Sequence, residues 1–397
     1  MKTRIALMYG GRSVEHEVSV ISGIQAYVSI DKEKYDVTPV YLTKDNEMYV
    51  GEDIGKIESY RDIPSLLERS TRVIMINEGD GVHMVSHKAG LFGKKTDIPV
   101  DLAFPVVHGT NVEDGALQGY LKTLGLPFVG CDVTASAVGM DKYVTKAILK
   151  DNNIPVLDSY LFTMADYNNV TELINTIEFK IGYPVIIKPL NTGSSVGISV
   201  AKNRAELTKS IDDAYLYARK IIAEHAITKL REINCAVLGD ENEAEASECE
   251  EPLHSKDILS YEDKYMSGGS KKTGGSKGMA GVSRKIPAEI SNEKREEIRN
   301  LAVESFKKLG CHGVARIDFM IDEENGKLYF NEINTIPGSL AFYLFEAIGI
   351  EYRELLDRMV ALALKRIREE KSISYSFSTN ILSSAQSFGG KNGKVRQ

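Results

Sequence analysis

The sequence has few cysteines, no long apolar run and no excess of basic residues, and each of these absences excludes a class of protein. Only four cysteines occur among 397 residues, none in C-x-x-C spacing, so a zinc site is not expected. No apolar run approaches the length of a transmembrane helix. The net charge of −7 comes from interspersed acids and bases, and without a basic stripe nucleic acid is not expected as the main partner.

The opening residues and the composition are typical of a globular protein. The first apolar stretch is short and soon interrupted, so we expect no signal peptide and predict a cytoplasmic location with reduced cysteines. A length of 397 residues is enough for two or three domains. The apolar fraction of 43% and the charged fraction of 26% are ordinary for such a chain.

The most informative stretch covers residues 314–338, V-A-R-I-D-F-M-I-D-E-E-N-G-K-L-Y-F-N-E-I-N-T-I-P-G. It predicts two strands joined by a tight turn at Asn325-Gly326. Because side chains alternate between the two faces of a strand, Arg316 and Asp318 are expected to share one face.

On the second strand, Phe330, Glu332 and Asn334 are expected to share a face by the same alternation. If the two strands pair, an arginine, two carboxylates and an amide oxygen converge. Hard oxygen ligands of this kind suit Mg²⁺, which usually also takes oxygens from substrate phosphates. A solvated polar face with a surface salt bridge is the alternative, but the Glu-x-Asn spacing favours a metal site.

Upstream of this hairpin, strand and helix patterns alternate and predict an open α/β sheet of mostly parallel strands. The first loop, G-G-R-S, lacks the full G-x-G-x-x-G, so nicotinamide binding has little support. One helix is predicted from Ser136 to Leu149, and another is predicted to be capped by Ser291 and ended by Gly310. An amphipathic helix near the C-terminus precedes a tail rich in Ser, Gly and Asn.

Two glycine-rich loops are candidates for ligand binding. The loop at residues 193–197 follows a buried strand that carries Lys188. Its glycines let the backbone approach phosphate oxygens, and its N–H groups and hydroxyls supply donors, although an ordinary hairpin loop remains the alternative. The sequence is not a Walker loop. The longer Gly-, Ser- and Lys-rich loop at 263–283 is typical of a lid or binding loop.

Two polar clusters lie in the first third of the chain. Glu15 and Glu17 fall in the first turn of a predicted helix, where carboxylates suit the helix dipole and could also face a substrate ammonium group. His108, Glu113 and Asp114 lie among glycines after a predicted strand, and in open α/β sheets ligands bind at such strand ends. His108 is therefore a candidate substrate contact or proton carrier.

Seven motifs follow one another along the chain: G-G-x-S-x-E-x-E-V-S at 10–19, H-G-x-x-x-E-D-G-x-x-Q-G at 108–119, M-D-K at 140–142, K-P-x-x-x-G-S-S-V-G at 188–197, D-K-Y at 263–265, A-R-I-D-F at 315–319 and N-E-I-N-T-I-P-G at 331–338. In this order they resemble the D-alanine–D-alanine ligase family of ATP-grasp enzymes. The resemblance extends from about residue 3 to about residue 370.

The resemblance implies an α/β protein with the ATP-grasp fold. An N-terminal open parallel α/β domain that binds substrate would occupy residues 1–125. Two ATP-grasp subdomains would follow at 126–212 and 213–371, the second of them binding metal, and a flexible tail would cover 372–397. ATP would lie between two antiparallel sheets. The resemblance also implies D-amino acid substrates, no membrane insertion and a homodimer.

The resemblance further implies how ATP and metal are bound. Two ions, Mg²⁺ or Mn²⁺, would be held by Asp318, Glu332 and Asn334, and the 193–197 loop would fold over the γ-phosphate. The other implied ATP contacts are Lys142 and Lys188 at the phosphates, Glu224 near the adenine, Glu232 near the ribose, and Ser194, Ser195 and Lys264.

For the amino acid substrates, the resemblance implies a second set of residues. Glu17 would hold the ammonium group of the first D-amino acid, and Glu17, Ser194 and Tyr265 would form a hydrogen-bonded group that fixes the lid. Arg316 and the backbone N–H of Gly338 would stabilise the oxyanion.

The chain departs from the family pattern in three places. Typical members have a Ser-Leu pair shortly after N-T-x-P-G, and that Ser contacts the carboxylate of the second amino acid. This chain has Tyr343-Leu344 in the same register. The predicted lid at 266–281 is unusually rich in Gly, Ser and Lys, and the segment between the predicted adenine and ribose contacts is one residue longer than usual.

The predicted function is ATP-dependent ligation of two D-amino acids, most simply two D-alanines, for peptidoglycan precursor synthesis. ATP would convert one carboxylate into an acyl phosphate, and the amine of the second amino acid would displace phosphate. A related ATP-grasp ligase with a different acceptor, which makes D-alanyl-D-serine or another dipeptide, is an alternative motivated by Tyr343. A nucleotide-binding regulator that has lost catalysis is a second alternative. The presence of the full set of predicted phosphate, oxyanion and metal contacts argues against it, namely Lys188, Arg316, Asp318, Glu332 and Asn334.

Overall fold

Three β-sheets organise the part of the chain that the computed structural model describes, which comprises residues 2–88, 95–190, 197–253 and 284–375. Residues 1–363 form one compact unit that contains all three sheets.

The strands of the first sheet are β1 (Thr3–Gly10), β2 (Tyr35–Leu42), β3 (Met48–Val50), β4 (Thr71–Asn77), β5 (Val82–Ser86), β6 (Asp97–Val100) and β7 (Leu102–Pro105). Their order is β6-β5-β4-β3-β2-β1-β7. β1 pairs in parallel with β2 and β7, whereas every pair from β2 outward to β6 is antiparallel. The prediction of a mostly parallel sheet is therefore correct only for β2, β1 and β7 at one end of the sheet, because short turns such as that between β4 and β5 reverse the chain direction.

The second sheet consists of β8 (Ser159–Thr163), β9 (Val185–Pro189), β10 (Ser199–Ala201) and β11 (Lys220–His225). Its order is β10-β9-β11-β8, and all pairs are antiparallel. β9 confirms the predicted buried strand. β11 completes this sheet and lies beyond residue 212, where the central subdomain was expected to end.

The third sheet consists of β12 (Leu230–Gly239), β13 (Ala244–Pro252), β14 (Arg284–Lys285), β15 (Gly313–Asp322) and β16 (Lys327–Asn334). Its order is β14-β13-β12-β15-β16, and it is antiparallel throughout. The predicted hairpin is confirmed as β15 and β16, whose turn is closed by a 2.7 Å hydrogen bond from the N–H of Gly326 to the carbonyl oxygen of Asp322. Both antiparallel sheets expected around the nucleotide are therefore present.

One residue of the hairpin breaks the predicted alternation. Asp318 pairs with Glu332, but Phe319 pairs with Phe330, so Asn331 is an extra residue that forms a bulge. Phe330 consequently lies in the apolar core, with its ring centroid 6.3 Å from that of Phe319. The prediction that Phe330 shares a face with Glu332 is wrong for this reason.

The helices are α1 (His16–Ser29), α2 (Ile63–Glu68), α3 (Ala116–Leu124), α4 (Val133–Met140), α5 (Lys142–Asp151), α6 (Val170–Lys180), α7 (Arg204–Tyr215), α8 (Asn292–Lys308), α9 (Phe342–Glu346) and α10 (Tyr352–Glu370). The single helix predicted over 136–149 is α4 and α5, because Asp141 ends the first and caps the second by accepting two backbone hydrogen bonds. Ser291 caps α8 and Gly310 follows its end, as predicted. Within the described ranges, no helix has both the length and the apolar character needed to cross a membrane.

Candidate active site

One face of the third sheet carries a continuous row of polar side chains. Glu250 on β13 lies opposite Asn234 on β12. Asn234 in turn lies opposite Asp318 on β15, and Asp318 lies opposite Glu332 on β16. Directly opposed residues of antiparallel strands point to the same face. The other face carries the apolar core that packs against α8, so the polar row belongs to one surface of the sheet.

The predicted metal ligands lie at one end of this row and are paired with cations. Asp318 accepts two hydrogen bonds of 2.7 Å from the guanidinium of Arg316 and a third of 3.3 Å from the side chain of Asn334. Glu332 lies 3.4 Å from the ammonium nitrogen of Lys142. The structure therefore brings together all five of these predicted residues, with each carboxylate neutralised by a basic side chain.

The donor set fits a hard divalent cation that also binds phosphate. In the described part of the chain, no three His, Cys, Asp or Glu side chains group closely enough to hold a metal by themselves. Two carboxylates and an amide oxygen instead match Mg²⁺, which uses one or two carboxylates and completes its shell with water and substrate phosphates. Asp318, Glu332 and Asn334 would hold the ion, with Arg316 and Lys142 beside them.

Arg316 is buried and stays charged. Burial would lower the pKa of its guanidinium, but the negative charge and hydrogen bonds of Asp318 raise the pKa above its usual value. Glu250 and Tyr343 lie close enough to contribute to the same shift. The polar face thus keeps a permanent positive charge beside the metal ligands.

A buried Lys–Glu–Lys cluster lies at the ends of α5, β9 and β11. Glu224 is fully buried and bonds to the ammonium groups of Lys146 and Lys188, the latter at 2.8 Å. Lys188 also donates to the side-chain oxygen of Asn331 at 3.2 Å. Burial alone would raise the pKa of Glu224, but the two lysines lower it to about 2. Glu224, predicted to lie near the adenine, is therefore engaged by both lysines.

The sequence reasoning missed Lys146. Its spacing offered a signal, since Lys142 and Lys146 are four residues apart and lie on one face of a helix. The predicted phosphate contact Lys188 is positioned through the same carboxylate as Lys146.

We expect Lys146→Met to destabilise the protein by about 3–5 kcal/mol, because it leaves a buried carboxylate with one cation fewer. The matched control is Lys150→Met, one turn along α5, where Lys150 is 67% exposed and pairs with an exposed Asp158; its effect should stay below about 1 kcal/mol. Urea unfolding at several pH values measures both changes.

The pH dependence gives this prediction a second readout. The pKa of Glu224 is lowered from 4.5 to about 2 in the folded state, so its ion pairs stabilise the protein above pH 4.5. That contribution is lost as the pH falls from 4.5 towards 2. The gap between wild type and Lys146→Met should shrink over the same interval. Equal destabilisation by both lysine variants would contradict the buried cluster.

His108 connects the first sheet to the segment that follows β16. Its Nδ1 lies 2.8 Å from the carbonyl oxygen of Ile336, which can only accept, so Nδ1 carries the proton. Its Nε2 then accepts from the hydroxyl of Ser22 at 2.9 Å. Burial lowers the pKa of His108 and keeps the ring neutral. Both ring nitrogens are thus used in positioning the chain after β16.

Glu113 reinforces the same connection. Its carboxylate accepts 2.9 Å hydrogen bonds from the backbone N–H groups of Gly109 and Ile336. Burial, together with the negative charge of Glu15, raises the pKa of Glu113 to about 7. Two carboxylates, Glu113 and Glu15, therefore lie near each other in a desolvated part of the site.

Glu15 and Glu17 occupy different environments. Glu15 is 8% exposed, and its charge acts on both His108 and Glu113. The side chain of Glu17 is 61% exposed and forms a 2.6 Å ion pair with Lys44. The structure therefore buries Glu15 near His108 and Glu113, whereas Glu17, the residue predicted to hold an ammonium group, pairs with Lys44 at the surface.

A cleft of about 770 Å³ opens beside Glu17, between the loops of the first sheet and the segment that precedes β11. It is lined by more cations than anions, a composition that suits an anionic small molecule. The basic residues of its lining are Arg12, Lys44, Arg219 and Lys220.

The chain after Gly338 adopts an unusual backbone. Ser339, Leu340 and Ala341 are consecutive L-residues with φ of 53°, 53° and 51°. Each costs roughly 1–2 kcal/mol in this left-handed conformation. Hydrogen bonds from the N–H of Ser339 to Ser22 and from its hydroxyl to Gln25 hold the turn against α1. The predicted oxyanion donor, the N–H of Gly338, is therefore set at the start of a strained turn fixed by tertiary contacts.

The remaining predicted residues divide between described and undescribed parts of the chain. Tyr343 lies on the polar face, whereas the side chain of Leu344 is fully buried in the core. Glu232 is partly buried on β12, two residues from Asn234 and on the same face. The predictions that lie outside the described residues are those for Ser194, Ser195, Lys264 and Tyr265, with the lid at 266–281 and most of the tail.

Comparison with known proteins agrees with this architecture. The family model described as D-ala D-ala ligase N-terminus matches residues 4–131, and that described as D-ala D-ala ligase C-terminus matches 148–361. A D-alanine–D-alanine ligase of Caldicellulosiruptor bescii is 38% identical, over 94% of this chain and 99% of its own. One from Acetivibrio thermocellus is 39% identical, over 93% and 97%.

Solved structures show the same likeness. The D-alanine–D-alanine ligase of Coxiella burnetii superposes with a TM-score of 0.75 at 28% identity, over 94% of this chain and 96% of its own. The VanG D-Ala:D-Ser ligase of Enterococcus faecalis also gives 0.75, at 31% identity, over 91% and 100%.

The two antiparallel sheets, with the polar face of the third sheet, are those of an ATP-grasp enzyme. Enzymes of this class use ATP and a divalent metal to join a carboxylate to an amine. Within that class, the chain belongs to the D-alanine–D-alanine ligase family.

Proposed function

We propose that the protein joins two D-alanine molecules into D-alanyl-D-alanine, with ATP converted to ADP and phosphate, for peptidoglycan precursor synthesis. The observation that carries the proposal is the convergence of Arg316, Asp318, Glu332 and Lys142 on one sheet face in a member of this family. The family also leads us to propose that the protein is a cytoplasmic homodimer.

The first step is activation of a carboxylate. Lys142 and Lys188 are the proposed ligands of the ATP phosphates, because Lys142 places an ammonium group beside Glu332 and Lys188 places one beside Asn331 on the same strand. A carboxylate oxygen of the first D-alanine attacks the γ-phosphorus, the bond to the bridging oxygen of ADP breaks, and an acyl phosphate forms. Two Mg²⁺ or Mn²⁺ ions, held by Asp318, Glu332 and Asn334, would neutralise charge on the transferring group.

The second step forms the peptide bond. The amine of the second D-alanine attacks the acyl carbon and gives a tetrahedral oxyanion, and phosphate leaves as the amine loses its proton. Arg316 and the N–H of Gly338 are preorganised donors for that oxyanion, the first by its contacts with Asp318 and the second by the turn fixed against α1.

We assign the ammonium group of the first D-alanine to Glu15 in place of Glu17. Glu15 is a buried carboxylate near His108, and such a group interacts strongly with a desolvated ammonium group, whereas Glu17 is exposed and pairs with Lys44.

D-serine is a second candidate for the acceptor. Tyr343 occupies the register of the family serine, and a D-Ala:D-Ser ligase is among the similar structures at 31% identity.

Incubating the purified protein with ATP, Mg²⁺ and D-alanine tests the proposal. We expect one phosphate released for each D-alanyl-D-alanine, and no release with L-alanine. A parallel reaction that adds D-serine separates the two acceptors by product mass. Absence of D-alanine-dependent phosphate release would contradict the proposed activity. A predominant D-alanyl-D-serine product would keep D-alanine as the first substrate but identify D-serine as the second.

A further inference from the structure

The polar row continues beyond the metal ligands into a second buried ion pair. The guanidinium of Arg284 on β14 donates through Nη1 to Glu250 at 2.9 Å. Glu250 is 2% exposed and also accepts from the side chain of Asn234 at 3.0 Å. The face thus carries two Arg–carboxylate pairs, Arg316 with Asp318 and Arg284 with Glu250.

Tyr343 lies between these pairs. The guanidinium carbon of Arg284 is 4.1 Å from the centroid of the Tyr343 ring, a distance typical of a cation–π contact. The hydroxyl of Tyr343 donates to Glu250 at 3.1 Å. Burial and the charge of Glu250 raise the pKa of Tyr343, so its phenol keeps its proton. The hydroxyl proton is used in the hydrogen bond to Glu250, and it could bond to an anionic ligand only if this bond broke.

These contacts change the role of Tyr343. A substrate carboxylate needs a donor or a positive charge, and the phenol offers neither while it donates to Glu250. Arg284 offers both, since a guanidinium is permanently charged and matches the geometry of a carboxylate. It stacks on Tyr343, and its partner Glu250 lies on the same sheet face as Arg316, the proposed oxyanion donor.

We propose that Arg284 binds the α-carboxylate of the acceptor amino acid, and that Tyr343 and Glu250 are positioning residues that hold its guanidinium by ring stacking and an ion pair. This inference rests on the proposed function and names the group by which the acceptor is recognised. The acceptor is then an amino acid with a free carboxylate.

A competition between two acceptors tests the proposal in the full-length protein. ATP, Mg²⁺ and D-alanine are supplied with D-alaninamide, which has the amine but lacks the carboxylate, and the ratio of the two dipeptide products is measured by chromatography. The ratio is independent of the fraction of active enzyme, so partial misfolding of a variant does not distort it. Wild type should favour D-alanine strongly.

We expect Arg284→Gln to lower this preference by about 10- to 100-fold, the loss of one charge-assisted contact. Arg284→Lys should lie between Arg284→Gln and wild type. The double variant Arg284→Gln, Glu250→Gln removes both buried charges and should show the same lowered preference. Arg231→Gln is the matched control, because Arg231 pairs with Glu251 at 2.7 Å on the opposite face of the same sheet. It should leave the ratio unchanged.

Two variants of Tyr343 separate its ring from its hydroxyl. Tyr343→Phe keeps the stacking surface and should stay within about 3-fold of the wild-type ratio, whereas Tyr343→Ala should lower the preference by about 10-fold. If Tyr343→Phe loses as much preference as Arg284→Gln, or if Arg284→Gln keeps the wild-type ratio, the proposal is overturned. Failure of the underlying ligase activity is recognised separately, because wild type would then form neither dipeptide.

Discussion

Asp318→Asn should lower kcat by about 10²- to 10³-fold, equivalent to roughly 3–4 kcal/mol of transition-state stabilisation. The change replaces one carboxylate oxygen by an amide N–H, so a metal ligand becomes a donor that repels the ion. It also removes the two-oxygen partner that orients Arg316. Steady-state kinetics at increasing Mg²⁺ should show both a lower kcat and a higher Mg²⁺ requirement.

Asp322→Asn is the control for this prediction. Asp322 ends the same strand, but its carboxylate accepts from the backbone of Glu324 and the side chain of Asn325 in the hairpin turn, away from the polar row. Its kcat should stay within about 3-fold of wild type, since turn substitutions at exposed positions have small effects. If Asp318→Asn lowers kcat without changing the Mg²⁺ requirement, Asp318 is not a metal ligand and acts only as the partner of Arg316.

Glu15→Gln should lower kcat/KM for the first D-alanine by about 100-fold, because a buried carboxylate–ammonium contact is worth about 2.7 kcal/mol or more. Glutamine has almost the same shape as glutamate, so the lower kcat/KM would measure the effect of the lost charge. KM for ATP should change little. Titration of D-alanine at saturating ATP measures the effect.

Glu17→Gln provides the comparison within the same helical turn. The exposed ion pair of Glu17 with Lys44 contributes little, and we expect less than a 3-fold change in any kinetic constant. The reverse order, a large loss in Glu17→Gln and a small one in Glu15→Gln, would restore Glu17 as the ammonium ligand and contradict our assignment.

Local features of the chain were predictable because they depend on local geometry. The hairpin of β15 and β16, its turn at Gly326 and the cap of α8 at Ser291 follow from side-chain alternation and from turn and capping preferences. The motif order also identified the family, which the comparisons bear out. The bulge at Asn331 was not predictable, because nothing in the alternating pattern marks the inserted residue.

Burial and charge pairing required the tertiary structure. Glu15 and Glu17 are equivalent in the sequence, and only the approach of the loop at Gly109 buries one of them. The sequence makes His108 a candidate proton carrier, but in the structure its Nδ1–H donates a hydrogen bond to the carbonyl oxygen of Ile336, 228 residues further on.

The amino-acid sequence by itself determined the strands, the ligand types and their family, since these depend on periodicity and on the chemistry of nearby residues. Only the tertiary structure decided which charges meet. Glu250 joins Arg284 and Tyr343 across 34 and 93 residues, and Glu224 joins Lys146 across 78. The physical reason is that desolvation and Coulomb attraction depend on distances through space, which separation along the chain does not reveal.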